Sequence, residues 1–293
     1  MYLTYQDLYT RCQNQASDTN AATLTLFKQW ISEGLGKCYE QLNAEYFYNE
    51  VVYDTADGTY SYPLPYNCDK IHTIKTTISS RDYIATEFPG DEAQWNALIS
   101  GASESSYPCY FFVKRNTFEI YPTSSTDSLD MTIKYKVRKK DLSKDNHTTG
   151  TILTATNGST AIVGNALSWT AAMIGRYLKI TSDGDWYEIA AVPTASTITL
   201  AREYGGTSIA GGTEAYIIGE MSLLPVNFQE LPVDYALMMY SGQKKDKQLL
   251  SFYLGRWESG LQRLKESGGN LTTSGLLEEE VVLYDPNWNK TLS

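Results

Sequence analysis

A chain of 293 residues is longer than one small hydrophobic core usually serves, and with 42% apolar and 20% charged residues its composition is that of a folded protein. The formal net charge of −10 argues against a general nucleic-acid-binding surface and against attraction to anionic membranes. No stretch approaches the roughly 20 apolar residues of a membrane-spanning helix, and no apolar core of signal-peptide length follows Met1. The four cysteines, Cys12, Cys38, Cys68 and Cys109, show no CxxC spacing and read as reduced thiols of a protein made in a cytoplasm.

Residues 4–17 predict a short helix, with Thr4 and Asp7 placed as a capping box. A longer helix follows, because Leu24, Phe27, Ile31, Leu35, Cys38 and Leu42 recur at three- and four-residue steps and share one face. Gly34 and Gly36 weaken that helix by about 1 kcal/mol each relative to alanine. They mark either a close approach of another backbone or a tolerated surface position.

From Val51 the pattern alternates. "VVYDTADGTYSY" predicts a hairpin turning at Asp57-Gly58. Pro63 and Pro65 confine the next segment to an edge or a loop before a strand at about 70–78. "DEAQWNALI" predicts one or two helical turns, "CYFFVKRNTFEIYP" a hairpin at Arg115-Asn116, and "LDMTIKYKVRKK" a strand.

Between 148 and 219 the composition shifts to Thr, Ala, Gly, Ile and Val, with turn signals at Asn157-Gly158, Asp183-Gly184, Gly205-Gly206 and Gly211-Gly212. Runs such as "RYLKIT", "DWYEIAAV" and "STITLA" alternate between them, so this region predicts a small all-β barrel or sandwich of its own. Helical spacing then returns in "LPVDYALMMYSG", and in a helix with Leu250, Tyr253, Leu254, Trp257, Leu261 and Leu264 on one face, stopped by Gly268-Gly269. The expected fold is α+β: a helical bundle hub with a β-sheet region over 1–147 and 220–269, an inserted β module over 148–219, and an extended C-terminal arm over 270–293.

Catalytic chemistry finds little purchase. The two histidines, His72 and His147, have no nucleophile or metal-ligand partner by spacing, and HExxH, GxSxG, a phosphate loop and GxGxxG are absent. Asp183 and Asp185 flank a turn glycine without the further oxygen ligands of a calcium loop. Glu278, Glu279 and Glu280 are consecutive and cannot converge on one site, so they read as a solvated or interface charge run. No catalytic residue, metal ligand or cofactor is expected.

Two features point to contact with other macromolecules. In "KYKVRKK", Lys134, Lys136, Arg138 and Lys140 are spaced by two and would share one strand face, opposite Ile133, Tyr135 and Val137. Such a row suits phosphates or an acidic partner; the bland alternatives are a solvated face or a lysine-protected edge. The second feature is aromatic: 23 tyrosines and 6 tryptophans, with Trp30, Trp95 and Trp257 in helical patterns, Trp169 and Trp186 expected to fill the β module, and Trp288 without a home.

The order of a helix pair, "YSYPLPYNCDKIHTI", "FEIYPTSSTDSLDMTIKYKVRKKDL" and "LPVNFQELPVDYALMMYSGQKKDKQLLSFYLGRWESGLQRLK" resembles the head-to-tail adaptor (connector) proteins of tailed bacteriophages. The inserted segment, with Trp169 and "YGGTS" at 204–208, is similar to a β module of phage structural proteins. The resemblance implies a homo-oligomeric ring, a dodecamer, in the virion neck. Such a ring binds the portal protein above and a tail or nozzle protein below, and double-stranded DNA passes through it. It also implies that residues 270–293 reach into the portal, with Leu283, Tyr284 and Trp288 as apolar anchors. The acidic balance suits a channel wall that repels DNA. A reading of another class is a carbohydrate- or receptor-binding module that uses surface tyrosines and the β barrel as its platform.

Overall fold

A computed structural model describes residues 2–42, 44–78, 80–101, 104–105, 107–125, 129–139, 141–165 and 168–267. Lys140 and the segment holding Leu283, Tyr284 and Trp288 lie outside the described residues. Among those described are five α-helices and sixteen strands, and the chain is mixed α+β.

Helix α1 (Tyr5–Ala16) begins at the expected capping box: the Thr4 hydroxyl accepts from the Asp7 amide at 3.2 Å, and the Asp7 carboxylate accepts from the Thr4 amide at 2.9 Å. Helix α2 (Ala21–Gln41) buries Phe27, Ile31, Leu35 and Cys38 along the predicted stripe. Of its two glycines, Gly36 is the tolerated surface position, while Gly34 is approached closely by a side chain rather than by another backbone. A Cβ on Gly34 would stand 2.9 Å from the Tyr235 Cβ, whereas one on Gly36 would meet nothing within 4 Å. Helix α3 (Glu92–Ile99) is the predicted pair of turns, capped by Asp91.

Helices α4 (Leu231–Gln243) and α5 (Lys247–Ser267) complete the helical set. The segment "KKDK" is the tight turn between them, and the Asp246 carboxylate accepts from the Gln248 and Leu249 amides at the start of α5. Phe27 meets Tyr240 and Gly34 meets Tyr235, so α2 and α4 run antiparallel. Tyr235 meets Trp257 at 5.0 Å between ring centroids and Leu231 meets Gly260, so α4 and α5 are antiparallel too. Side chains of α1, α2, α4 and α5 share one apolar core. Helix α5 buries Trp257 and Leu264 as expected, but Leu254 is 40% exposed.

The chain from Tyr48 to Val137 gives nine strands: β1 (Tyr48–Asp54), β2 (Ser61–Pro63), β3 (Cys68–Ile78), β4 (Arg81–Glu87), β5 (Glu104–Ser105), β6 (Tyr110–Lys114), β7 (Thr117–Tyr121), β8 (Thr123–Ser124) and β9 (Asp130–Val137). Seven form one sheet in the order β1-β9-β3-β4-β6-β7-β2, and β5 pairs with β8 apart from it. The β6–β7 hairpin turns at Arg115-Asn116 as predicted. The Asp57-Gly58 hairpin does not form. The turn is there, with Gly58 at φ +67°, but β1 and β2 stand at opposite ends of the sheet. The edge of β1 is taken by β9 over seven residues, from Tyr48↔Lys136 to Asp54↔Asp130, while β2 pairs three residues with β7. The sheet curls into a half-barrel: Tyr53 of β1 packs edge-on to Phe118 at 5.7 Å, and its hydroxyl donates to the Pro63 carbonyl at 2.8 Å.

The second sheet repeats the device. Its strands are β10 (Thr151–Ala155), β11 (Ala161–Asn165), β12 (Tyr177–Ile180), β13 (Trp186–Thr194), β14 (Thr197–Leu200), β15 (Ile209–Glu214) and β16 (Tyr216–Gly219), in the order β15-β10-β11-β14-β13-β12-β16. Again two consecutive strands, here separated by Ala215 alone, sit at the opposite ends of a curled sheet. Ile152, Ile162, Leu178, Ile189, Ile198 and Ile218 fill a core separate from the other two. Trp169 is buried there as expected; Trp186 is not, and lies half-exposed at the surface.

Polar groups tie this sheet to the segment that leads into it. The buried Arg176 guanidinium donates to the carbonyls of Asp145 at 2.6 Å and Ile218 at 2.9 Å. The Glu220 carboxylate accepts from the amides of Ser143 at 2.6 Å and Lys144 at 2.7 Å. All four cysteines are free thiols, and Cys109 alone of them is exposed.

Candidate functional site

Strand β9 carries the basic row, and the fold both sharpens and shortens it. Ile133 and Tyr135 point into the core, which turns Lys134 and Lys136 to the outer face. The strand ends at Val137. Arg138 leaves the row: its amide donates to the Asn67 carbonyl at 2.7 Å and its guanidinium to the Cys68 carbonyl at 3.2 Å, which ties the end of β9 to the start of β3. β9 is also an interior strand, between β1 and β3, so these lysines do not guard an edge.

The neighbours that complete this face come from distant parts of the sequence. Lys136 stands between Tyr48 of β1 and Lys70 of β3, and Lys134 between Glu50 and Thr73. The Tyr48 ring lies 4.8 Å from the His72 ring, and Lys134 Nζ is 5.6 Å from its centroid, within cation–π range. Between them opens a cleft of about 470 Å3 lined by Tyr48, Lys70, His72, Thr73, Glu87 and Lys136. Lys70 and Lys136 are direct cross-strand partners, a like-charge pairing that disfavours the ladder unless something answers it. Among the described residues neither lysine forms an ion pair.

A second surface is apolar. Leu249 and Phe252, one step apart on α5, are 47% and 55% exposed, while Leu254, 40% exposed, projects from the opposite flank of the helix. On the same side of the helix as Leu249 and Phe252, Arg256 lies over the Phe252 ring at 5.8 Å and pairs with the buried Asp234 at 3.1 Å. Burial pushes the Asp234 carboxyl up to about 6, against the pull of Arg256.

A third is a cleft of about 620 Å3 bounded by Tyr2, Tyr177, Asp185, Trp186, Glu188 and Arg202. Lys179 Nζ, 5.7 Å from the Trp186 ring centroid, occupies one face of that indole. The neighbouring Asp183 behaves as a turn residue, accepting from the Tyr187 hydroxyl at 2.7 Å. Burial, with the Asp183 carboxylate, pushes that phenol up to about 12. His147 is tied into the fold by a two-way backbone bridge to Ile218. Among the described residues no three His, Cys, Asp or Glu side chains converge as metal ligands would.

Charge, aromatic rings and exposed apolar side chains on a rigid α+β scaffold are the equipment of a structural protein that works by contact with other macromolecules. The SU10 adaptor protein family matches residues 3–192, and the chain belongs to that family. It is a phage head-to-tail adaptor, a structural component of the virion neck. The match runs from the residue before the α1 cap into β13, so it takes in both the basic face and most of the second sheet, while α4 and α5 lie beyond it. No curated protein sequence matches the chain. No helix among the described residues is long and apolar enough to cross a membrane.

Proposed function

We propose that the chain assembles into a ring beneath the portal, joins capsid to tail, and lines the channel through which double-stranded DNA passes. Family membership supports the location, and the observation that carries the ring is the exposed pair Leu249 and Phe252, which share one face of α5. Single exposed leucines are ordinary, but a leucine and a phenylalanine one helical step apart, both about half exposed, call for a cover, and in a closed ring the neighbouring copy supplies it. A dodecamer is the expected closure. In this reading the helices build the ring wall, residues 148–219 form an inserted module on it, and residues 270–293 form an arm toward the portal with Leu283, Tyr284 and Trp288 as anchors. The net charge of −10 keeps DNA from adhering to the wall, and Lys134 and Lys136 are reserved for a phosphate or acidic contact.

The test is sedimentation of the full-length chain with the portal ring of the same virus, beside a chain ending at Gly269. A shift of the full-length chain that the shorter one lacks is expected. No shift for either removes the portal as partner. The cleft beside Trp186 favours a second reading, glycan binding. Quenching of Trp186 fluorescence by host-surface glycan, lost in Trp186→Ala, would bring it forward.

A further inference from the structure

The Lys70–Lys136 pair is the least explained feature of the molecule. Two ammonium groups face each other across a ladder, in a cleft with an imidazole and a tyrosine, and neither has a described counter-ion. Glu87 lines the same cleft and forms no ion pair with them, and Glu50 stands opposite Lys134 rather than Lys136. Beyond the charges the surface turns apolar: Ile84, which lines the cleft, is 61% exposed. A matching ligand would therefore be acidic first and apolar next.

The chain contains one such segment. Glu278, Glu279 and Glu280 are followed by Val281, Val282 and Leu283. The course of the helices brings its origin to the right end of the molecule. α5 is antiparallel to α4 and α4 to α2, so α5 and α2 finish at the same end. The chain leaving α2 packs Phe47 edge-on to Tyr39 and enters β1 at Tyr48, a wall of the cleft. From Ser267 to Glu278 an extended chain spans about 36–40 Å, twice the radius of gyration of about 18 Å expected for a compact unit of this size.

We infer that the cleft between Tyr48, Lys70 and Lys136 is the berth of the chain's own Glu278–Glu280 segment, bound in cis by salt bridges to the two lysines. This rests on reading residues 270–293 as an arm, and it gives the arm a fixed root. The acidic triplet is pinned to the sheet, and Leu283, Tyr284 and Trp288 project from a defined point rather than from a loose tether. A rooted arm loses less freedom when it meets a partner.

Zero-length carbodiimide coupling of the full-length chain tests the berth, with isotopically light and heavy copies mixed before reaction. The expected products are amides between Glu278–Glu280 and Lys70 or Lys136 within one isotopic species, suppressed in high salt and absent from Lys70→Gln/Lys136→Gln. Glutamate-specific proteolysis at 278–280 should run several-fold faster in that variant at unchanged melting temperature. The charge exchange Lys70→Glu/Lys136→Glu with Glu278→Lys/Glu279→Lys/Glu280→Lys should restore protection. Links that join light to heavy chains, or no links to these lysines, overturn the inference. So does a short DNA duplex that shields Lys70 and Lys136 from amine labelling while the tail stays open to protease. Portal sedimentation separates the two claims: a full-length chain that binds the portal without cis links loses only the berth, whereas one that neither links nor binds loses the arm as well.

Discussion

Gly34 lies against Tyr235 so closely that a Cβ added to it would stand 2.9 Å from the Tyr235 Cβ and from its ring carbon Cδ1. This contact sets the separation of α2 and α4. Gly34→Ala would push the helices apart or force Tyr235 off its rotamer, and is expected to destabilise the fold by about 1–3 kcal/mol. Gly36, exposed on the same helix with open space around it, should gain instead: Gly36→Ala is expected to stabilise by up to about 1 kcal/mol. Urea unfolding of the two variants decides the matter; equal effects would mean the Gly34 contact does not govern the packing.

The contrast between the two glycines shows what the sequence could and could not disclose. Local rules served well where the partner lies a few residues away: the Thr4–Asp7 box, the α2 stripe and the Arg115-Asn116 turn are each written within one turn of helix or one hairpin. They failed at Asp57-Gly58. The dipeptide makes its turn, but β1 pairs with β9 and β2 with β7, distant partners that carry the two strands to opposite ends of the sheet and that no local signal discloses. The same distinction governs the site. Alternation showed that Lys134 and Lys136 face away from Ile133 and Tyr135, yet nothing local placed Tyr48, Lys70 and His72 beside them; only the β1-β9-β3 order does. Leu254 was misread because a stripe wide enough to include it exceeds what α4 can cover.

The Asp234–Arg256 pair makes stability depend on pH. Burial lifts the Asp234 carboxyl from an ordinary 3.8 to about 6 in the folded chain. The folded state therefore holds this proton at pH values where the unfolded chain has lost it. The contribution is fully present below the unfolded value and is lost as pH rises through about 6. Denaturation midpoints measured from pH 4 to 7 should fall across that window, and Asp234→Asn should flatten the decline. Arg256→Ala removes the group that pulls the value down, so its decline should be steeper and extend to higher pH. A flat wild-type profile would show that Asp234 remains charged throughout.

In the second sheet, Trp169 Nε1 donates to the Tyr216 hydroxyl at 2.9 Å, and that hydroxyl donates in turn to the Thr149 carbonyl at 2.5 Å. Tyr216→Phe keeps the ring and strands both partners, an indole N–H and a carbonyl. The expected cost is about 1–3 kcal/mol, seen as a lower melting temperature by about 2–4 °C per kcal/mol. Tyr110→Phe, on an exposed ring with no side-chain hydrogen bond among those described, is the control and should shift stability by less than about 0.5 kcal/mol. Equal melting of the two variants would remove the chain of hydrogen bonds as a source of order.

The α5 stripe makes the most direct statement about assembly. Leu249 and Phe252 are one helical step apart and about half exposed, so replacing them takes almost nothing from the monomer's core. Leu249→Ser/Phe252→Ser is therefore expected to leave the melting temperature of the dilute monomer unchanged or slightly raised. In sedimentation equilibrium at higher concentration the same variant should lose self-association, because the side chains lost are those a neighbouring copy would bury. Serine at Leu264, fully buried in the helical core, should act in the opposite sense and unfold the chain before any effect on association can be read. If the double variant associates as strongly as the parent, the stripe is not the seam between subunits. The ring would then have to close through another surface, with the sheet face around Val52 and Ile84, 56% and 61% exposed, as the next to alter.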